Sequence, residues 1–181
     1  LSNVHTEPVT VPHWVRGLEE AAVVSPGVHP LAVTALGGSI ATPDGGVEAE
    51  VVEVSSLAVL KALDGGSLAG KILFANVPMR RAVDGSGYGE TAGVRRLAPI
   101  QGAMAGAVAV VIRSVGTDVN RLPHTGALGA EASAIPAAAL SIPDAELVHR
   151  LLSAGPVRLR LRLTPRLEAP AQGANVVGDV P

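Results

Sequence analysis

The run GKILFANVP (residues 70–78) decides how the chain is read. Four consecutive apolar residues, Ile72 to Ala75, lie between Gly70-Lys71 and Asn76. A run this short with turn residues on its flanks reads as a strand covered on both faces. VAVVIRS (108–114) has the same character, and YGETAGVRRLAPIQGAMAGA (88–107) between them carries helical segments. Strand, crossover helix and strand predict a parallel pair joined in the right-handed sense. Pro99 lies inside the helical stretch and predicts a break between Leu97 and Ile100.

Outward from this unit, IPAAALS (135–141) reads as a short strand and IPDAELVHRLLSAG (142–155) as a helix. Pro143 stands early in that helix, Asp144 and Glu146 occupy its first turn, and Gly155 ends it. VRLRLRLTP (157–165) follows with strict period two, which sends Leu159, Leu161 and Leu163 to one face and Arg158, Arg160 and Arg162 to the other. Before the unit, VHTEPVTVPHW reads as a strand whose Pro8 and Pro12 favour an edge position. The apolar run 30–43 is cut by Gly37 and Gly38, and 47–56 reads as a further strand. SSLAVLKALDGG reads as a short helix capped by Ser55 or Ser56 and stopped at Gly65. The stretch 115–133 shows no periodicity, and loops of that length are usually functional or disordered. The expectation is one domain, mixed α+β and mainly β, with two to four short helices.

Composition narrows the function classes. A chain of 181 residues with 48% hydrophobic content can bury a full core, built from aliphatic residues because only Trp14, Phe74 and Tyr88 are aromatic. The absence of cysteine removes disulfides, thiol chemistry and cysteine-ligated zinc together. A net charge of −2 offers no field for nucleic acid or an anionic membrane, and no apolar run reaches the length of a membrane span. LSNVHTEPVTV has neither the basic start nor the apolar core of an export signal.

No chemical motif survives inspection. GGSLAGK (65–71) has phosphate-loop spacing, but Ile72 replaces the required hydroxyl, and the pattern leaves a helix and enters a strand. The five histidines show no helix-face pairing that suits a metal, and Ser39, Ser86, Thr125 and Ser141 sit in no nucleophile elbow. His149, late in its helix, reads as a helix-end contact. The arginine row suits solvent exposure of one sheet face, or charge protection of an edge. A contact between the row and an acidic neighbouring domain is the third reading.

In order, EPVTVPHWVRG (7–17), LGGSIATPDGGVEAEVV (36–52), GKILFANVP, GAVAVVIRSVG (106–116), PHTG (123–126), IPAAALSIPDAE (135–146) and ANVVGDVP (174–181) resemble one family. It is the protease-associated domain, with its flanking segments, of the carboxypeptidase Q-like zinc-dependent di-metal exopeptidases. The resemblance covers nearly the whole chain. It implies a small β-sandwich or open barrel with short peripheral helices over residues 1–170. Residues 171–181 would be the connection to, or first strand of, a catalytic peptidase domain. It also implies no catalytic residue, metal ligand or cofactor in this chain, with two zinc ions in that further domain, and an exported parent, extracellular or periplasmic.

Partners implied are the chain's own catalytic domain, a peptide substrate and a second copy in a homodimer. Within this frame the contact residues expected are Arg121, His124 and Thr125 of the 117–128 loop, although Pro123 and Gly126 also allow His124 to serve a turn alone. His13 and Trp14 are expected to be structural. The alternative reading is a free-standing peptide or protein interaction module.

Overall fold

The computed structural model describes residues 1–128 and 133–180. Its strands are β1 (Ser2–Val15), β2 (Glu19–Ser25), β3 (His29–Leu31), β4 (Val33–Ala35), β5 (Val47–Val54), β6 (Ile72–Ala75), β7 (Ala109–Arg113), β8 (Ala137–Leu140), β9 (Arg158–Leu163) and β10 (Arg166–Asp179). Its helices are α1 (Leu57–Lys61), α2 (Ser86–Thr91), α3 (Val94–Met104) and α4 (Ile142–Ala154).

The pair expected from residues 70–114 forms as read: β6 and β7 are parallel, with Ile72 beside Ala109 and Phe74 beside Val111. β5 and β8 extend the parallel set on either side. All four residues of β6 and of β8 are buried, because both faces of these strands are covered. Val51, Ile72, Phe74, Val111 and Leu140 point inward with Leu159, Leu161 and Leu163 of β9, joined by Ala145 and Val148 of α4. Leu73, Ala75, Val110, Ile112 and Ala139 point the other way, under a layer that includes Leu60 of α1 and Val94 and Ala98 of α3. Each fully buried leucine contributes about 2 kcal/mol of apolar transfer free energy.

The sheet runs β3-β2-β9-β5-β6-β7-β8-β4. Its two outer strands are consecutive pieces of one segment: residues 29–31 pair with β2, and residues 33–35 pair with β8. The chain bends at Ala32, where the ladder changes partner. One bent segment thus joins both edges and makes the sheet a nearly closed barrel, one way of removing exposed strand edges.

Several local expectations change. α1 is capped by Ser56, whose side chain accepts from Val59 N, but it ends at Lys61, before Gly65. α3 runs through Pro99 without the expected break. The buried face formed by Val94, Ala98 and Gly102 holds the helix on the sheet, and it outweighs one missing backbone hydrogen bond. Gly102 is required there, since a Cβ would stand 2.7 Å from Val110 Cγ2. β9 lies between β2 and β5, so its arginine row faces solvent from the middle of the sheet and protects no edge.

β1 and β10 form a separate two-stranded antiparallel ribbon, from Val15 beside Arg166 at its root to Ser2 beside Asp179. Pro8 and Pro12 are accommodated because each strand of a ribbon has a free edge. The boundary expected between residues 170 and 171 falls inside β10, which continues across it. Pro181 lies outside the described residues.

Candidate functional site at the barrel rim

The loop read from the sequence as 115–133 is described as far as Leu128; its residues 129–132 lie outside the described residues. The described part is tied to the barrel rim at successive points. Ser114 Oγ donates to Leu140 O at 2.6 Å and accepts from His124 N at 2.8 Å. Thr125 Oγ1 donates to Ala35 O at 2.8 Å. Gly37 N donates to Gly126 O, and Leu128 N donates to Gly37 O, both at 2.9 Å. A Cβ on Gly126 would meet Arg95 Cδ at 2.7 Å, so this turn packs flush on the buried Arg95.

The three residues expected to make contacts are spread along this rim. Arg121 Nε donates to both carboxylate oxygens of Asp144, at 2.9 and 3.0 Å, while its Nη2 donates to Pro30 O. His124 Nε2 lies 2.8 Å from Asp118 Oδ2, with its ring half exposed. Thr125 lies on the Ala35 side. Arg121 and Thr125 thus both grip the bent segment 29–35, and His124 fixes the loop between them.

Sequence reasoning missed the residues that organise this rim. Asp144 accepts from Ala32 N at 2.7 Å and from Ser141 Oγ at 2.8 Å as well as from Arg121. Ala32 O in turn accepts from Ser141 N at 3.0 Å. One buried carboxylate therefore satisfies the amide orphaned at the bend, the cap of α4 and the loop arginine. The visible signal was Ser141-Ile-Pro-Asp144, a capping-box spacing in front of an apolar helix.

Arg16 is the second. Its Nη1 donates to Ala35 O at 2.6 Å, to Thr34 Oγ1 at 2.7 Å and to Glu19 Oε1 at 3.1 Å, and its Nη2 reaches Thr125 Oγ1 at 3.5 Å. The guanidinium lies over the Trp14 ring, 5.2 Å from its centroid. Trp14 Nε1 donates to Ser39 O at 3.0 Å, and His13 faces Glu168 across the ribbon at 3.6 Å. The ribbon root and the loop therefore share one acceptor, the carbonyl of Ala35. Gly17 completes the root, since a Cβ would stand 2.1 Å from Thr164 O.

A second polar cluster caps the carboxyl ends of the parallel strands. His149 Nδ1 lies 2.9 Å from both Glu53 oxygens, so the ring engages β5 and not the end of its helix. Asn76 Nδ2 donates to Glu53 at 2.6 Å, Arg113 Nη1 donates to Asn76 Oδ1 at 3.3 Å, and Arg113 pairs with Glu146. Among the described residues no three histidine or carboxylate side chains are grouped to hold a metal ion. The pairs His124–Asp118 and His149–Glu53 supply two donors each, so neither fits a zinc centre. Among the described residues no helix is long and apolar enough to cross a membrane.

No protein-family model matches the chain. Carboxypeptidase Q of Mus musculus is 34% identical over 183 residues, taking in 99% of this chain and 37% of that protein. A peptidase M28 precursor from Shewanella amazonensis SB2B superposes with a TM-score of 0.89 at 42% identity, over 96% of this chain and 40% of that one. A zinc aminopeptidase from Bacillus subtilis shares the fold, with a TM-score of 0.64 at 18% identity over 94% of this chain and 36% of that one. The chain thus spans about two fifths or less of each of these three proteins. Sequence and fold together make it a protease-associated domain of the carboxypeptidase Q-like, M28-type peptidases.

Proposed function

We propose that this chain is the non-catalytic accessory domain of an exported, extracellular or periplasmic, zinc metallo-exopeptidase. In this reading two zinc ions and the hydrolytic residues belong to the parent's catalytic part. The domain shapes peptide access to that part, and the rim loop 117–128 borders the peptide or a second copy of the parent. The observation that carries the reading is the β1–β10 ribbon. It extends two paired strands away from the barrel and leaves Val4, Leu167 and Val176 at least 60% exposed. A lone two-stranded ribbon is marginal in water, and these apolar side chains call for a body to lie against. The lengths of the matched peptidases supply one, since more than half of each lies outside the aligned region.

The test compares this chain with its parent by metal analysis and dipeptide hydrolysis. The parent is expected to hold zinc and to hydrolyse dipeptides, and the isolated chain to do neither. Stoichiometric zinc or hydrolysis in the isolated chain would overturn the reading. Within the parent, Arg121→Ala combined with His124→Ala is expected to change apparent substrate affinity or dimerisation, and no change in either would remove the rim loop from the proposal.

A further inference from the structure

The outer face of the barrel carries a groove beside the rim site, with which it shares Glu19 and Pro30. It encloses about 580 Å3 and is lined in part by Glu20, Ala22, Val28, Pro30, Arg160 and Arg162, a volume ordinary for small-ligand sites. The pairing register explains its shape. Ala22 is paired with Arg160 on one side and with Pro30 on the other, so the outward positions beside Arg160 are a methyl group and a pyrrolidine ring. These short side chains leave a trough, and Val28, 74% exposed, forms an apolar wall.

The charges around the trough are unevenly matched. Lys71 pairs with Glu50 at 3.1 Å, Arg158 with Glu48 at 3.3 Å, and Arg162 with Glu20 at 3.8 Å. Arg160 stands in the middle of this row and has no ion-pair partner among the described residues. Its register neighbour Glu48 is turned to Arg158. Glu19 also lines the groove, but its carboxylate is held by Arg16, Thr34 and the Ala35 amide. The groove therefore presents one uncommitted guanidinium, an apolar floor, and the Glu20 carboxylate toward Arg162.

We propose that this groove binds a short peptide by its free carboxylate, with Arg160 as the recognising cation. A guanidinium engages a carboxylate through two parallel N–H donors, which fixes the ligand's direction as well as its charge. The adjoining C-terminal side chain then lies on Ala22, Pro30 and Val28. Glu20 disfavours an acidic residue at the next position and favours a free amino terminus. The choice of a peptide over another carboxylate rests on the peptidase reading; the carboxylate site itself does not.

The test is a titration of the isotope-labelled chain with alanyl-valine, its C-terminal amide and acetate, followed by amide chemical shifts. Saturable shifts centred on Ala22, Val28 and Arg160 are expected with the free dipeptide, and affinity at least about tenfold weaker with the amide. Arg160→Gln is expected to weaken the dipeptide to the level of the amide, while Arg166→Gln, at the ribbon root and paired with Glu168, leaves it unchanged. Both residues are exposed, and the spectra themselves report whether each variant is folded. Equal affinity for acid and amide, or an unaltered titration in Arg160→Gln, would overturn the site. Acetate binding as tightly as the dipeptide would overturn the peptide assignment and leave the zinc and hydrolysis test of the parent untouched.

Discussion

The barrel and the ribbon are both built from paired strands, yet they handle apolar side chains in opposite ways. In β9 every second residue is a leucine with no exposure, enclosed by strands on both sides and by α4 beneath. In β10 the apolar residues Leu167 and Val176 are each 74% exposed, and among the described residues the strand pairs with β1 alone. The barrel is a self-sufficient core, whereas the ribbon is an arm whose apolar surface has no use within the barrel. The difference separates what holds this chain together from what it offers to another body.

The largest break in that comparison should come from Leu161→Ala. Removal of a fully buried leucine from the barrel interior is expected to lower unfolding free energy by about 4 kcal/mol in urea denaturation. A loss below about 1 kcal/mol would mean that the interior is not packed as described. Asp144→Ala follows at about 3 kcal/mol, since it strands the Ala32 amide and the Ser141 hydroxyl together. Asp144→Asn retains an acceptor for Ala32 and should recover part of the loss. Equal losses in the two variants would argue against the staple.

Arg16→Ala tests the joint between the two regions. It is expected to reduce stability by about 1 kcal/mol, because Arg16 is itself partly exposed. It should also broaden the distance distribution between spin labels on the ribbon and the barrel. A distribution as narrow as that of the unaltered chain would show that Trp14 and Gly17 hold the ribbon without it. In the ribbon, Val176→Thr should change the stability of this chain by no more than about 0.5 kcal/mol, but it should measurably weaken the parent. An effect confined to this chain would contradict the proposed seating.

The smallest effect is electrostatic. The hydrogen bond from Arg80, and then its charge, holds the Glu90 carboxyl below the usual glutamate range. A depressed carboxyl contributes stability above its unfolded pKa and loses it as pH falls through the folded one. Acid titration followed by NMR should therefore show Glu90 protonating late, and Arg80→Gln should return it to the ordinary range. The pair is fully exposed, so the accompanying change in stability should be slight.

Much of the barrel was legible because its strands carry local patterns. The Leu-Arg alternation of 158–163 and the apolar run 72–75 specify which faces are buried, whatever their partners are. α4 was legible from Pro143, Asp144 and Gly155, since helix-end signals act within one turn. The closure at Ala32 was not, because residues 29–35 find β2 on one side and β8 on the other, and no short-range signal names a strand a hundred residues away. Arg16 was passed over for the same reason: its acceptors at Thr34 and Ala35 come together only through folding. The rim loop was singled out by its lack of periodicity, but the same property hid the hydrogen bonds that pin it. Pro99 misled because a local rule was applied where tertiary burial prevails.

The bend at Ala32 has a consequence for the order in which the chain is made. Its amide is satisfied by a carboxylate 112 residues further along, so on the ribosome it waits about ten seconds for Asp144 to be added. During that interval the segment 29–35 has no β8 to pair with on its far side, and the barrel stands open along one seam. A nascent chain arrested before Asp144 should be cut by protease at this seam, and one arrested after β9 has emerged should resist.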